Sequence, residues 1–217
     1  MANAKRKAKP EPAGPLKLDL GCGKNPREGF IGVDSRPFGQ QIVLDLVKRR
    51  KGVEQYHTLG APESDGYDLF EKWPWEDNSV DEVHCSHFYE HLTQKGRAFF
   101  LNELHRVLKP VQHENGTHVR GFATVILPHW DSGRAYGDLS HEWPPAGVEF
   151  HMYYMNKKWR DGNAPHNDFL KCDFDILGGH HWDESKFVGR SQDFRDFAVK
   201  HFKSNFNDIF FHLLKLA

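Results

Sequence analysis

Alternating apolar and polar positions begin at Leu16. Leu16, Leu18 and Leu20 occupy every second site and predict a short strand, which runs into the glycine pair Gly21 and Gly23. Phe30 to Val33 predicts a second strand, closed by Asp34. Strand character returns over 41–46, 80–85, 119–127 and 208–216. The mixture of small and β-branched residues from Phe122 to Ile126 marks the third of these four as a buried central strand. Phe100, Leu101, Leu104, Val107 and Leu108 form one stripe and predict a helix over 94–108, with Pro110 just beyond its end. Strands alternating with helices predict a mostly parallel sheet covered on both faces. Two stretches break the alternation. Residues 47–66, basic and then rich in Gly, Pro and Ser, read as an inserted loop, and residues 129–190 are rich in aromatics and histidine without a simple period.

The length of 217 residues suits one α/β domain with insertions. No apolar run is long enough to span a membrane. Residues 1–15 carry Lys5, Arg6, Lys7 and Lys9 among Ala, Pro and Gly, which predicts a flexible basic arm rather than a secretory signal. A formal net charge of −1 gives no global field to hold nucleic acid. Cys22, Cys85 and Cys172 are far apart and form no Cys-x-x-Cys, so a reduced, intracellular setting is expected.

Chemistry concentrates at the first turn. Glycines lack a Cβ and let backbone press against a ligand. An acid closing the next strand is placed to accept two hydrogen bonds from a ribose diol. Gly21, Gly23 and Asp34 therefore predict a nucleoside-cofactor site. Farther on stand the run Trp73-Pro-Trp-Glu-Asp-Asn-Ser-Val-Asp81 and the helix end Arg106-Val-Leu-Lys-Pro110. With Leu18-Asp-Leu-Gly-Cys-Gly23 these three motifs, in this order, resemble the class I S-adenosylmethionine-dependent methyltransferases, closest to the small "type 11" group of bacterial and phage genomes.

That resemblance covers residues 16–217 and implies a Rossmann-like, doubly wound, seven-stranded, mostly parallel sheet with helices on both faces and an antiparallel C-terminal strand. It implies S-adenosylmethionine as cofactor. Asp19, Gly21, Cys22 and Gly23 match the motif around the methionine part, and Asp34 matches the acid on the ribose. Two residues compete for the acid near the adenine. Asp45 has the right distance from Asp34, and Asp68 the right distance to Trp73. Ser86 and His87 match positions beside the reactive methyl. Gly21 and Gly23 could also serve only a tight turn, Trp73 and Trp75 only the core, and Cys22 has no activating base nearby. The chain departs from the family after Pro110, where Val111 to Thr117 replaces a Gly-Gly turn.

The substrate face is expected on loops after the fourth and fifth strands. The second, Leu127 to Trp143, resembles a stretch of the phage-associated branch, with Leu139 in place of a proline. His87, by position, and His141, by motif, are the candidate catalytic residues. His129, Asp131, Arg134 and Asp138 add polar groups suited to acid/base work, and residues 129–190 are expected to cover the substrate side. The motif of amino methyltransferases acting on DNA bases, and the Pro-Cys of cytosine C5 enzymes, are both missing at Cys85-Ser-His-Phe88, so nucleic acid is not favoured. An O- or N-methyl transfer to a small molecule or sugar remains. A non-catalytic cofactor-binding module stays open as the alternative. A nicotinamide dehydrogenase does not fit, because Pro26 stands where a third glycine is needed. No metal site is predicted: His180 and His181 beside Asp183 point apart, and no three-ligand spacing recurs.

Overall fold

The computed structural model describes residues 14–49, 70–143, 145 and 153–216. All but residues 14–15 of the predicted basic arm, most of the 47–66 loop, and Asp68 lie outside these. The strands are β1 (Lys17–Leu20), β2 (Ile31–Asp34), β3 (Ile42–Val43), β4 (Glu82–Ser86), β5 (Gln112–Glu114), β6 (Thr117–Arg120), β7 (Phe122–Pro128), β8 (Phe174–Trp182) and β9 (Phe206–Lys215). The helices are α1 (Gln94–Val107), α2 (Gly133–Gly137), α3 (Lys157–Asn163), α4 (Glu184–Phe187) and α5 (Gln192–His201). Seven strands form one sheet in the order β3-β2-β1-β4-β7-β9-β8. Only β9 runs against the rest, antiparallel to both β7 and β8. This is the predicted α/β sheet with its antiparallel C-terminal strand.

The order reverses between β1 and β4, which pair in parallel from Lys17↔Glu82 to Leu20↔Cys85. At such a switch point the loops at the carboxyl ends diverge and leave a crevice. Leu18, Leu20, Val33, Val83, Cys85, Ala123, Val125 and Leu127 supply the sheet's share of a continuous core, and α1 adds Phe99, Phe100, Leu101, Leu104 and Val107. Thr93 starts α1, its Oγ1 accepting from Gly96 N at 3.2 Å, as an N-cap hydroxyl should.

Three local expectations are corrected. The strand predicted over 119–127 is two strands, broken at Gly121. Residues 112–120 form a separate hairpin, β5-β6, turned by Asn115 (φ 50°) and Gly116 (φ 76°), the left-handed pair that a two-residue hairpin loop needs. The hairpin leaves and returns at one place: a Cβ on Gly121 (φ 78°) would sit 2.5 Å from the Pro110 carbonyl. Gly121 thus supplies, after the hairpin, the tight turn that the family makes directly after the proline. The third correction is β8, which lay in the region without a period. Gly178-Gly179-His180-His181 hides its strand pattern, and at Gly179 the missing Cβ lets the Phe210 ring of β9 lie across the backbone.

Another excursion begins beside β3. Arg49 and Phe70 form an isolated antiparallel bridge, and Glu71 N donates to Lys48 O at 2.8 Å. Trp73 Nε1 then donates to Leu46 O at 2.8 Å. The two halves of the motif that the sequence separates are therefore hydrogen-bonded neighbours.

Gly121→Ala should destabilise the protein by at least about 2 kcal/mol, from the left-handed backbone and the clash with Pro110. Thermal melting should show a Tm drop of about 4–8 °C for a chain of this size. An unchanged Tm would mean that Pro110 and Gly121 are not in this contact.

Candidate active site at the carboxyl edge of the sheet

The turn after β1 is held from three sides. Gly21 N and Cys22 N both donate to Val33 O, at 2.8 and 3.2 Å. Asp19, buried, accepts from Arg27 N at 2.8 Å. Asp34 accepts from Gly23 N at 3.0 Å through Oδ2 and from Arg36 N at 3.0 Å through Oδ1. Both glycines need the left-handed region, with φ of 70° at Gly21 and 58° at Gly23. Their surroundings differ. A Cβ on Gly21 would strike the Phe88 ring at 2.5 Å, whereas one on Gly23 meets nothing within 4 Å. Gly21 is required by packing, and Gly23 leaves its space open.

Asp19 therefore shapes the turn through its own hydrogen bond, and burial raises its pKa. Burial, then Asp19 and Asp34, raise the Cys22 thiol, which makes it a poor nucleophile. Each Asp34 oxygen accepts one backbone N–H and keeps further acceptor capacity. The hydroxyls of a ribose diol, as in an adenosyl group, could donate to those remaining acceptor sites. Asp45 lies just past β3, where Leu44 N donates to Asp34 O at 2.8 Å, and its own Oδ1 accepts from Val47 N at 3.0 Å.

Ser86 ends β4, and the chain then turns sharply. His87 takes φ 53°, a strained value for a residue with a Cβ, while its N–H donates to Ile126 O at 2.9 Å. The imidazole lies between two carboxylates, with Nδ1 3.4 Å from Glu90 Oε1 and Nε2 3.8 Å from Asp208 Oδ1. Arg134 also pairs with Asp208, at 2.9 Å.

His87, Glu90, His91, Arg134, Asp138 and His141 line a cavity of about 660 Å³ together with Pro128, Gly137 and Leu139. The structure thus brings His87 and His141 together, from loops 54 residues apart in sequence. It does not bring in His129 or Asp131. His129 is 4% exposed, accepts from Asp131 N at 3.1 Å, and burial followed by His180 pushes its pKa down to about 4. Asp131 instead accepts from Ser204 N at 2.8 Å. Sequence reading singled out neither Glu90, His91 nor Asp208 as a functional residue. Glu90 and His91 did stand in the loop named for the substrate face, but their approach to His141 is a tertiary fact.

The Trp-Pro-Trp run and the end of α1 form a buried clamp below the site. Glu103, fully buried, accepts from Trp73 N at 2.7 Å and pairs with Arg106 Nη2 at 2.7 Å. Arg106 donates onward to Trp73 O at 3.1 Å and Trp75 O at 2.8 Å. Trp73 is 3% exposed, so it belongs to the core. Of the expected cover, Tyr153 and Tyr154 pack on Trp159. Trp130, Tyr136 and Trp143 remain exposed.

Residues 18–113 match the family model described as a methyltransferase domain. Among solved structures, a SAM-dependent methyltransferase from Archaeoglobus fulgidus is 16% identical, over 94% of this chain and 87% of its own, with a TM-score of 0.56. A methyltransferase from Mesorhizobium loti is 14% identical over 95% and 94%, with a TM-score of 0.46. Phosphoethanolamine N-methyltransferase 2 of Haemonchus contortus, in complex with S-adenosyl-L-methionine, is 18% identical with a TM-score of 0.42; the chain covers 49% of its length. No curated protein sequence matches. The switch-point sheet is the fold that this chain shares with the archaeal methyltransferase structure. Within it, residues 18–113, just under half of the 217, carry the match to a methyltransferase domain.

Asp34→Asn should weaken S-adenosylmethionine binding about 10–100-fold by calorimetry, the loss of one charged hydrogen bond, with the Tm held within a few degrees. Equal affinity would remove Asp34 from the cofactor site. His129 also sets a pH dependence. Its folded pKa of about 4 lies below the ordinary 6.5, so only the unfolded chain takes up a proton between those values. Its contribution is complete above about pH 6.5 and is lost as pH falls toward 4. His129→Asn should therefore flatten the fall in Tm over that window; an unaltered slope would show that His129 is charged in the folded state.

Proposed function

We propose that this chain transfers a methyl group to an oxygen or nitrogen of a small molecule or sugar by in-line displacement. One observation carries this reading. The segment Ser86–His91 serves both halves of the site, with Phe88 closing on Gly21 of the glycine turn and His87, Glu90 and His91 lining the cavity. A methyl donor held by the turn and an acceptor held in the cavity would meet there.

The bound cofactor supplies a methyl already activated by positive sulfur. What the protein adds is alignment and exclusion of water, worth roughly 7–11 kcal/mol in favourable cases. Gly21, Cys22 and Gly23 would border the methionine part, Asp34 the ribose, Asp45 the adenine side, and Ser86 and His87 the region of transfer. Asp45 is preferred because it lies two residues past the end of β3, beside the Leu44 N to Asp34 O hydrogen bond. His87 would accept the acceptor's proton, with Glu90 and Asp208 stabilising the imidazolium. His141, whose Nδ1 donates to Ala135 O at 3.0 Å, would orient the acceptor through Nε2.

The lining supports the acceptor class. Glu90 and Asp138 give the cavity negative charge, and Arg134 is committed to Asp208. Such a wall repels a phosphate backbone and suits hydroxyls or an amine. Residues 47–66 would be an insertion in the domain, and 129–190 its substrate-side cover; the Arg49–Phe70 bridge supports the first. The three free thiols agree with a reducing, cytoplasmic setting, and the Leu127–Trp143 stretch with the phage branch. Among the described residues, no helix is long and apolar enough to cross a membrane.

Isotopically labelled S-adenosylmethionine, incubated with the protein and fractionated host extract, should label the small-molecule or saccharide fraction. Label confined to nucleic acid or protein would overturn the acceptor class, and cofactor binding without any transfer would make the chain a binding module. His87→Ala should lower kcat about 10²–10⁴-fold while the cofactor Kd changes less than about threefold. An unchanged kcat would remove His87 from proton transfer.

A further inference from the structure

On the cavity wall, one potential metal-ligating atom from each of Glu90, His91 and His141 lies within 4.8 Å of the other two. Glu90 is 4% exposed, and neither carboxylate oxygen has a hydrogen-bond donor among the described residues. His87 Nδ1 stands 3.4 Å from Glu90 Oε1, too far for a good hydrogen bond. A buried carboxylate without donors is unfavourable unless a charge answers it.

The two histidines are prepared as ligands. His141 Nδ1 faces the Ala135 carbonyl at 3.0 Å, a contact that only a protonated nitrogen makes favourably. His91 Nδ1 faces the Ser140 carbonyl at 3.3 Å and Ser140 Oγ at 3.0 Å. Ser140 Oγ gives its own proton to Asp138 Oδ1 at 2.6 Å, so it accepts from His91. Both rings therefore hold their proton on Nδ1 and their lone pair on Nε2. Metal-ligating histidines are oriented in the same way by a carbonyl or carboxylate on the opposite nitrogen. Asp138 Oδ2 stands 3.9 Å from His141 Nε2, close enough to add an oxygen as a fourth ligand.

The two ligand-bearing segments are also fastened together. Glu142 N donates to Glu90 O at 2.9 Å, and Arg97 Nη2 donates to both Glu90 O (3.1 Å) and Glu142 O (3.0 Å). Tetrahedral ligands about 2.0–2.1 Å from a zinc ion stand about 3.4 Å apart, so atoms now within 4.8 Å must draw together by at most about 1.4 Å.

We propose that Glu90, His91 and His141 form a binding site for a divalent transition cation of the zinc class, open toward the cavity. Two imidazoles and one carboxylate suit zinc, cobalt or iron(II), not calcium or magnesium, which take oxygen ligands. A cation there leaves a coordination position for an acceptor oxygen; that last step rests on the cavity being the acceptor site, whereas the metal site itself does not.

The test uses untagged, chelator-treated full-length protein in equilibrium dialysis against Zn²⁺, with no cofactor or acceptor present, so its failure leaves methyl transfer unaffected. Wild type should bind one equivalent, and Co²⁺ in its place should give visible d–d absorption. His91→Ala, His141→Ala and Glu90→Gln should each weaken binding at least tenfold. His141, near the surface, keeps the test informative if Glu90→Gln fails to fold, provided that metal-free His141→Ala melts within a few degrees of wild type. Cys22→Ser and the His180→Ala/His181→Ala pair should retain the equivalent. No bound zinc, or zinc that survives loss of His91 and His141, would overturn the site.

Discussion

The site depends on two carboxylates accepting backbone N–H groups from a single turn. Asp19 holds Arg27 N and Asp34 holds Gly23 N, and between them the chain after β1 is fixed without side-chain bulk. Buried or half-buried carboxylates need such donors, and backbone amides in a glycine turn supply them in fixed directions. The same contact leaves Gly23 unobstructed and presses Gly21 onto Phe88, which begins the segment that reaches the cavity. Packing at one glycine and open space at the other thus join the glycine turn to the cavity through a few residues.

Much of what makes the chain resemble the methyltransferases is scaffold. The Trp73–Trp75 run and Arg106 meet Glu103 in a buried network, and Lys109 pairs with Asp81 at 2.8 Å beside the start of β4. A fully buried Glu103 would be costly alone; Arg106 and the Trp73 amide satisfy it. The network fixes where α1 ends relative to the sheet, and so where the cavity loops begin. Chemistry is left to residues outside these motifs.

The parts legible in the sequence were local. Leu16 to Asp34 spelled strand, turn and strand because alternation, glycine and a closing acid act over neighbouring residues. The stripe from Phe100 to Leu108 gave α1 for the same reason. What escaped was set by distant partners. β8 owes its place to β9, and Gly178-Gly179-His180-His181 carries no strand signal of its own. Asp45 and Asp68 both stood as candidates because residues 47–66 separate them, and Asp68 lies outside the described residues. Of the cavity, His87 and His141 were named in advance. Glu90 and His91 were not, since nothing short-range reveals that Glu142 N will find Glu90 O.

The position of β9 has a consequence for biogenesis. It is made after both β7 and β8, yet it lies between them. While the ribosome is still translating, the long β7 ladder edge, already supported by β4 on its other side, stands uncovered, and β8 has no neighbour in the sheet. Open edges of this kind invite pairing with other nascent chains. The sheet closes in one late insertion, so truncated translation products should be captured by chaperones or aggregate rather than persist as partial domains.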